Sequence, residues 1–141
     1  GAGSKKRLLE KVSELLSDAI PNLDNRATFQ SLTDRERLGS TGIGNGVALP
    51  HGRLKGLTQA VGACVILGEE MDFDSIDGKP VKIIFVLLVP EEATEEHLQI
   101  LAQLARIFAA EENRKQLLKA NSSNEVYDFF CSFDADYQQA S

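Results

Sequence analysis

Two histidines are the chain's whole supply of imidazole, and both stand where chemistry could use them. His51 ends the stretch Gly39-Ser40-Thr41-Gly42-Ile43-Gly44-Asn45-Gly46-Val47-Ala48-Leu49-Pro50-His51, with rigid Pro50 before it and uncrowded Gly52 after it. Imidazole has an unperturbed pKa of about 6.5, so a neutral ring nitrogen is available as a nucleophile near neutral pH. His97 follows Thr94 by three residues, in the first turn of an expected helix. A helix N-terminus favours an anion by about 0.3–1 kcal/mol and disfavours imidazolium to match, so His97 reads as a neutral hydrogen-bonding partner for an anionic group. The alternatives are a satisfied structural histidine at 51 and an exposed helix-start histidine at 97.

The glycines Gly42, Gly44 and Gly46 let backbone approach an anion closely, and Ser40, Thr41 and Asn45 add hydrogen-bonding groups. A dinucleotide fingerprint requires a strand before the glycines and a helix after them, and a P-loop ends in Gly-Lys-Ser/Thr. Here a helix precedes and a short strand follows. The segment is therefore either an anion cradle made by Ser40, Thr41, Gly42, Gly44 and Asn45, or a glycine-rich surface turn. Nothing in the sequence has metal-ligand spacing, and Glu91, Glu92, Glu95 and Glu96 read as a solvated helix start, so neither a metal nor a cofactor is expected. Ser40 and Ser75 lack the elbow of a serine hydrolase. Cys64 falls in an expected buried strand, a poor place for a thiolate nucleophile, and Cys131 is likewise expected to be an ordinary buried thiol.

The elements that must hold these residues follow from periodicity. Leu8, Val12, Leu15, Leu16 and Ile20 recur at helical spacing over residues 4–20, with Pro21 just beyond. Residues 24–38 read as helical, in one piece or in two short ones, because Thr33 and Glu36 have capping-box spacing. Gly39 is the stop. Val47-Ala48-Leu49 suits a short strand, and residues 60–67 and 81–89 are strands apolar enough to be covered on both faces, with a turn at Asp77-Gly78. Thr94 is expected to cap a helix running to Lys119, with Leu98, Leu101, Ala102, Ala105 and Phe108 inward; His97 shares a face with Leu101, Leu104 and Phe108. Ser122 and Glu125 open a last helix docked by Val126, Phe129 and Phe130. Helices, then strands, then helices predict an α/β fold, a mixed β-sheet flanked by helices on both faces.

At 141 residues this is one domain, 1–141, and 43% hydrophobic with 26% charged residues is the composition of a soluble globular chain. A net charge of −6 gives no footprint for nucleic acid. The longest apolar run, residues 81–89, is far short of the roughly 20 residues that span a bilayer, so the protein is not expected to be membrane-embedded. No signal-peptide pattern opens the chain, which points to the cytoplasm, and its start at Gly1 rather than Met reads as a trimmed terminus.

Residues 34–53, "DRERLGSTGIGNGVALPHGR", and residues 73–108, "FDSIDGKPVKIIFVLLVPEEATEEHLQILAQLARIF", in that order, resemble the EIIA domains of the fructose/mannitol class of the bacterial phosphotransferase system, in particular the nitrogen-related branch, EIIA-Ntr. The resemblance covers nearly the whole chain. It implies an EIIA-type sandwich and a phosphotransferase-type activity in which His51 accepts a phosphoryl group from the phosphohistidine of an HPr-like carrier. His97 and Arg35 map onto the same site. The resemblance also implies regulation of partner proteins by phosphorylation state, with potassium-transport regulators or sensor kinases as candidates. Family members usually carry a further segment before residue 4. A sugar-transport EIIA that passes phosphate to an EIIB domain, and a binding module without catalysis, are the rival readings.

Overall fold

A computed structural model describes the backbone of residues 2–93 and 95–140, and the side chains of residues 5–93, 95 and 97–133. The described chain forms helices α1 (Ala2–Ala19), α2 (Asn25–Leu38), α3 (Glu95–Ala109), α4 (Glu111–Leu118) and α5 (Ser123–Ala140). Its strands are β1 (Gly42–Gly44), β2 (Val47–Ala48), β3 (His51–Leu54), β4 (Val61–Met71) and β5 (Val81–Pro90).

The sheet is built around β5. Seven of its ten residues are buried and none is exposed, because helices cover both of its faces. Residues Ile84, Val86 and Leu88 pack with Leu8, Leu9, Val12 and Leu16 of α1 and Leu32 of α2. Ile83, Leu87 and Val89 pack on the opposite side with Leu104, Ile107 and Phe108 of α3, Leu117 of α4 and Phe129 of α5. Val81 falls on the α1 side despite its odd number. The Gly46 carbonyl accepts from both the Lys82 and Ile83 amides, a bulge that shifts the alternation by one residue there.

β2 and β3 lie end to end along one edge of β5, both parallel to it, in one continuous register from Val47 opposite Ile83 to Leu54 opposite Pro90. Pro50, which has no N–H to give a ladder, interrupts them, although its carbonyl still accepts from the Leu87 amide at 3.0 Å. β4 pairs antiparallel along the other edge of β5. β1 pairs antiparallel with β2 alone and leaves the outer edge of β3 uncovered. The mixed sheet and two helical layers are those that the sequence predicts.

Several local expectations are corrected. α2 is one unbroken helix, capped at its start by Asp24, whose carboxylate accepts from the Ala27 amide at 3.0 Å. Thr33 and Glu36 form no capping box, because Glu36 turns its carboxylate to Thr41 and Lys5 instead. The single helix expected up to Lys119 breaks at Ala110, which is extended. Asn113 and Arg114 there reach back to the carbonyls of Ile107, Phe108 and Ala109, and the turn lets Leu117 enter the core. Leu98 is 65% exposed, so the inward face of α3 is that of His97, Leu104, Ile107 and Phe108. Thr94 lies outside the described residues. β4, an edge strand, is only half covered, and Cys131 is exposed rather than buried. Glu125 accepts from the Asn121 amide while Ser122 caps the Glu125 amide, which starts α5 as expected.

Candidate functional site

His51 is the first residue of β3, and strand alternation turns it, with Val47 and Leu49, to the α3 side of the sheet. There it meets His97, from the first turn of α3. The ring centroids are 5.3 Å apart and the planes meet edge-on at 65°. Gly52, the next residue along, faces the opposite way, onto α2. A Cβ there would collide with Ser31 Oγ, so glycine is what allows α2 to approach this strand. Ser31 uses the closeness: its hydroxyl donates to the Arg53 carbonyl at 2.7 Å, satisfying a group on the open edge.

Between α2, β3 and α3 lies a cleft of about 610 Å3, lined among others by Arg35, Leu38, His51, Arg53 and His97. The three residues singled out in the sequence, Arg35, His51 and His97, thus share one cavity. The Arg35 guanidinium donates to the Gly39 carbonyl at 2.8 Å, just past the end of α2. His51 Nδ1 lies 2.8 Å from the Leu49 carbonyl oxygen. A carbonyl only accepts, so Nδ1 carries the proton and the neutral ring keeps its lone pair on Nε2.

Both rings are harder to protonate than free imidazole. Burial lowers the His51 pKa below 6.5, and the Arg35 charge lowers it further, against the Leu49 carbonyl and Glu36, which raise it. Burial also lowers the pKa of His97, helped by His51, Arg53 and Arg35. His97 is 8% exposed, and among the described residues neither ring nitrogen has a hydrogen-bond partner. Unpaired buried polar atoms are rare in folded proteins, and His97, in the first turn of α3, lines a cleft together with Arg35 and Arg53, a setting suited to an anion.

Ser40, Thr41, Gly42, Gly44 and Asn45 are not among the residues lining the cleft. Ser40 donates to the Phe73 carbonyl, Thr41 bonds to Glu36, and Gly42 packs against Ser75. Asn45 and Gly46, both at positive φ, make the tight turn between β1 and β2, and the Asn45 amide donates to Asp77. The glycine-rich segment is a hairpin tied to the turn between β4 and β5. Arg53, Ser31, Gln30 and Asp34 line the cleft without having been singled out in the sequence. Arg53 had a readable signal, because two residues after His51 in a strand is the same face. The α2 residues had none, since only the tertiary contact through Gly52 brings them there. Cys64 takes no part: burial pushes its thiol up to about 12. Among the described residues, no group of three or more His, Cys, Asp or Glu is placed to hold a metal ion.

The fold is a mixed sheet between two helical layers, with His51 and His97 paired at the open edge of one strand. The chain belongs to the family described as "Phosphoenolpyruvate-dependent sugar phosphotransferase system, EIIA 2", whose model matches residues 1–132. It is similar to nitrogen regulatory proteins of that family. The one from Pseudomonas aeruginosa is 46% identical over 125 residues, covering 89% of this chain and 81% of that protein. The crystal structure of the nitrogen regulatory protein IIA-Ntr from Neisseria meningitidis superposes with a TM-score of 0.82 at 47% identity, over 88% of this chain and 84% of that one. The IIA mannitol structure from Escherichia coli shares the fold with a TM-score of 0.70 at 20% identity, over 89% of this chain and 87% of that one. The chain is thus an EIIA domain of the phosphotransferase type.

Proposed function

We propose that His51 Nε2 accepts a phosphoryl group from the phosphohistidine of an HPr-like carrier, and that the resulting phosphorylation state regulates partner proteins in the cytoplasm, with potassium-transport regulators and sensor kinases as candidates. The observation that carries this reading is the Leu49 carbonyl on Nδ1, which leaves the Nε2 lone pair as the nucleophile. That lone pair attacks phosphorus in line. The P–N bond to the carrier's ring breaks, and the departing ring keeps its electron pair. Arg35 and Arg53 answer the negative charge spread over the phosphoryl oxygens, and His97 donates from one ring nitrogen, so that positioning and electrostatics provide the catalysis. Phosphorylation adds about −1.5 to −2 charges beside a cleft lined by exposed Leu38, enough to change which surface a partner meets.

Incubation with a phosphorylated HPr-type carrier should add the mass of one phosphoryl group to the wild-type protein and none to His51→Ala. An unlabelled wild-type protein, beside a control domain that is labelled, rejects the reading. Onward transfer to a purified EIIB domain would mark a sugar-transport role in place of the regulatory one.

A further inference from the structure

The tautomer of His51 depends on one carbonyl, that of Leu49. Leu49 sits in the gap between β2 and β3, outside the regular ladder. Its amide donates to the Thr41 carbonyl at 2.9 Å rather than to β5. Thr41, 4% exposed, is gripped from the other side: its amide and its hydroxyl donate to the two oxygens of the Glu36 carboxylate, at 2.9 and 2.5 Å. The Glu36 side chain is 6% exposed, and Lys5 Nζ of α1 meets it at 2.8 Å while resting 4.8 Å from the centroid of the Phe73 ring. A buried carboxylate needs such a counter-ion and a full set of donors to remain charged.

We propose that Glu36 and Thr41 are positioning residues for His51, acting through a continuous chain from the Glu36 carboxylate to Thr41, from the Thr41 carbonyl to the Leu49 amide, and from the Leu49 carbonyl to Nδ1, with Lys5 as the counter-ion. The inference rests on the reading of His51 as the phosphoryl acceptor. Neither residue touches the phosphoryl group. Their work is to hold the Leu49 carbonyl where it keeps the proton on Nδ1, because the partner of one ring nitrogen sets the state of the other. Orientation is set by the same bond, and a misplaced nucleophile loses rate steeply.

The test compares wild type with Thr41→Val, Thr41→Ser and Glu36→Gln, each checked for a cooperative unfolding transition. Thr41→Val keeps the volume and the Glu36 side chain and removes only the hydroxyl, so it separates positioning from the loss of the carboxylate itself. Nitrogen-15 shifts of the His51 ring, read at a pH where it is neutral, should show the Nδ1–H form alone in wild type and Thr41→Ser. Thr41→Val and Glu36→Gln should show a share of the Nε2–H form and accept phosphate from a phosphorylated HPr-type carrier about tenfold more slowly, the loss expected from one net hydrogen bond. If Glu36→Gln does not fold, Thr41→Val alone decides. A folded Thr41→Val protein with a pure Nδ1–H ring overturns the proposal. The ring signal needs no phosphate, so a wild-type protein that takes no phosphoryl group, yet shifts tautomer in Thr41→Val, rejects the function and keeps the positioning.

Discussion

His51 and His97 lie with ring centroids 5.3 Å apart in a cleft with two arginines, and burial lowers the pKa of each ring below 6.5. A lowered pKa in the folded state has a definite sign. The unfolded chain titrates near 6.5, so above that pH the two rings cost the fold nothing; as pH falls through 6.5 the unfolded chain takes up protons first, and stability drops until the folded rings also protonate. Urea unfolding followed from about pH 8 to about pH 5 should show this fall starting near 6.5, and His97→Gln should make it shallower. A His97→Gln curve parallel to wild type through that window contradicts the assignment. Arg35→Gln should slow phosphoryl acceptance by about 100-fold, the cost of one preorganised charged donor, while the melting curve stays close to wild type; an unchanged rate removes Arg35 from the site. At this scale the sequence was partly legible. Residue type and helix position pointed to His51 and His97, and resemblance to Arg35. Thr33 and Glu36 misled, because capping-box spacing says nothing about the competing partner, Thr41, that a fold brings within 2.5 Å.

The elements explain why the cleft exists. β1 stops short of β3, Pro50 opens the ladder just before His51, and Gly52 admits α2 to the exposed edge. Gly52→Ala drives a methyl into Ser31 Oγ and lies 3.2 Å from a Ser31 backbone carbon, so helix as well as side chain must yield. The expected loss is about 1–3 kcal/mol by urea denaturation, together with slower phosphoryl acceptance as α2 carries Arg35 away. Equal stability and an equal rate would show that α2 does not need this close approach. Strand and helix types were readable from periodicity, including the apolar run of β5. The break at Ala110 was not, since Ala carries no stop signal; it is set by Asn113 and Arg114 reaching the last carbonyls of α3 and by the demand that Leu117 be buried.

At the scale of the whole molecule, β5 separates two apolar layers, and the site lies where both layers meet the sheet edge: α2 from one, α3 from the other. Phe108 is 1% exposed and stacks edge-on with Phe85 and Phe130, so it ties α3 to the sheet and to α5. Phe108→Ala should cost about 3–5 kcal/mol, and a loss below 1 kcal/mol by urea denaturation would mean that this layer does not hold α3 in place. The architecture was legible because two-sided burial writes itself into a strand as an unbroken apolar run. The half-covered state of β4 was less so, as residues 60–67 form an apolar run like that of β5 while a place at the sheet edge leaves both faces of β4 only partly buried. The most direct test of the phosphoacceptor reading is nitrogen-15 NMR of the protein after reaction with a phosphorylated HPr-type carrier. The expected result is one phosphoryl group on Nε2 of His51, with Nδ1 still protonated against the Leu49 carbonyl. A phosphoryl group on Nδ1 of His51, on His97, or on no ring nitrogen at all would contradict it.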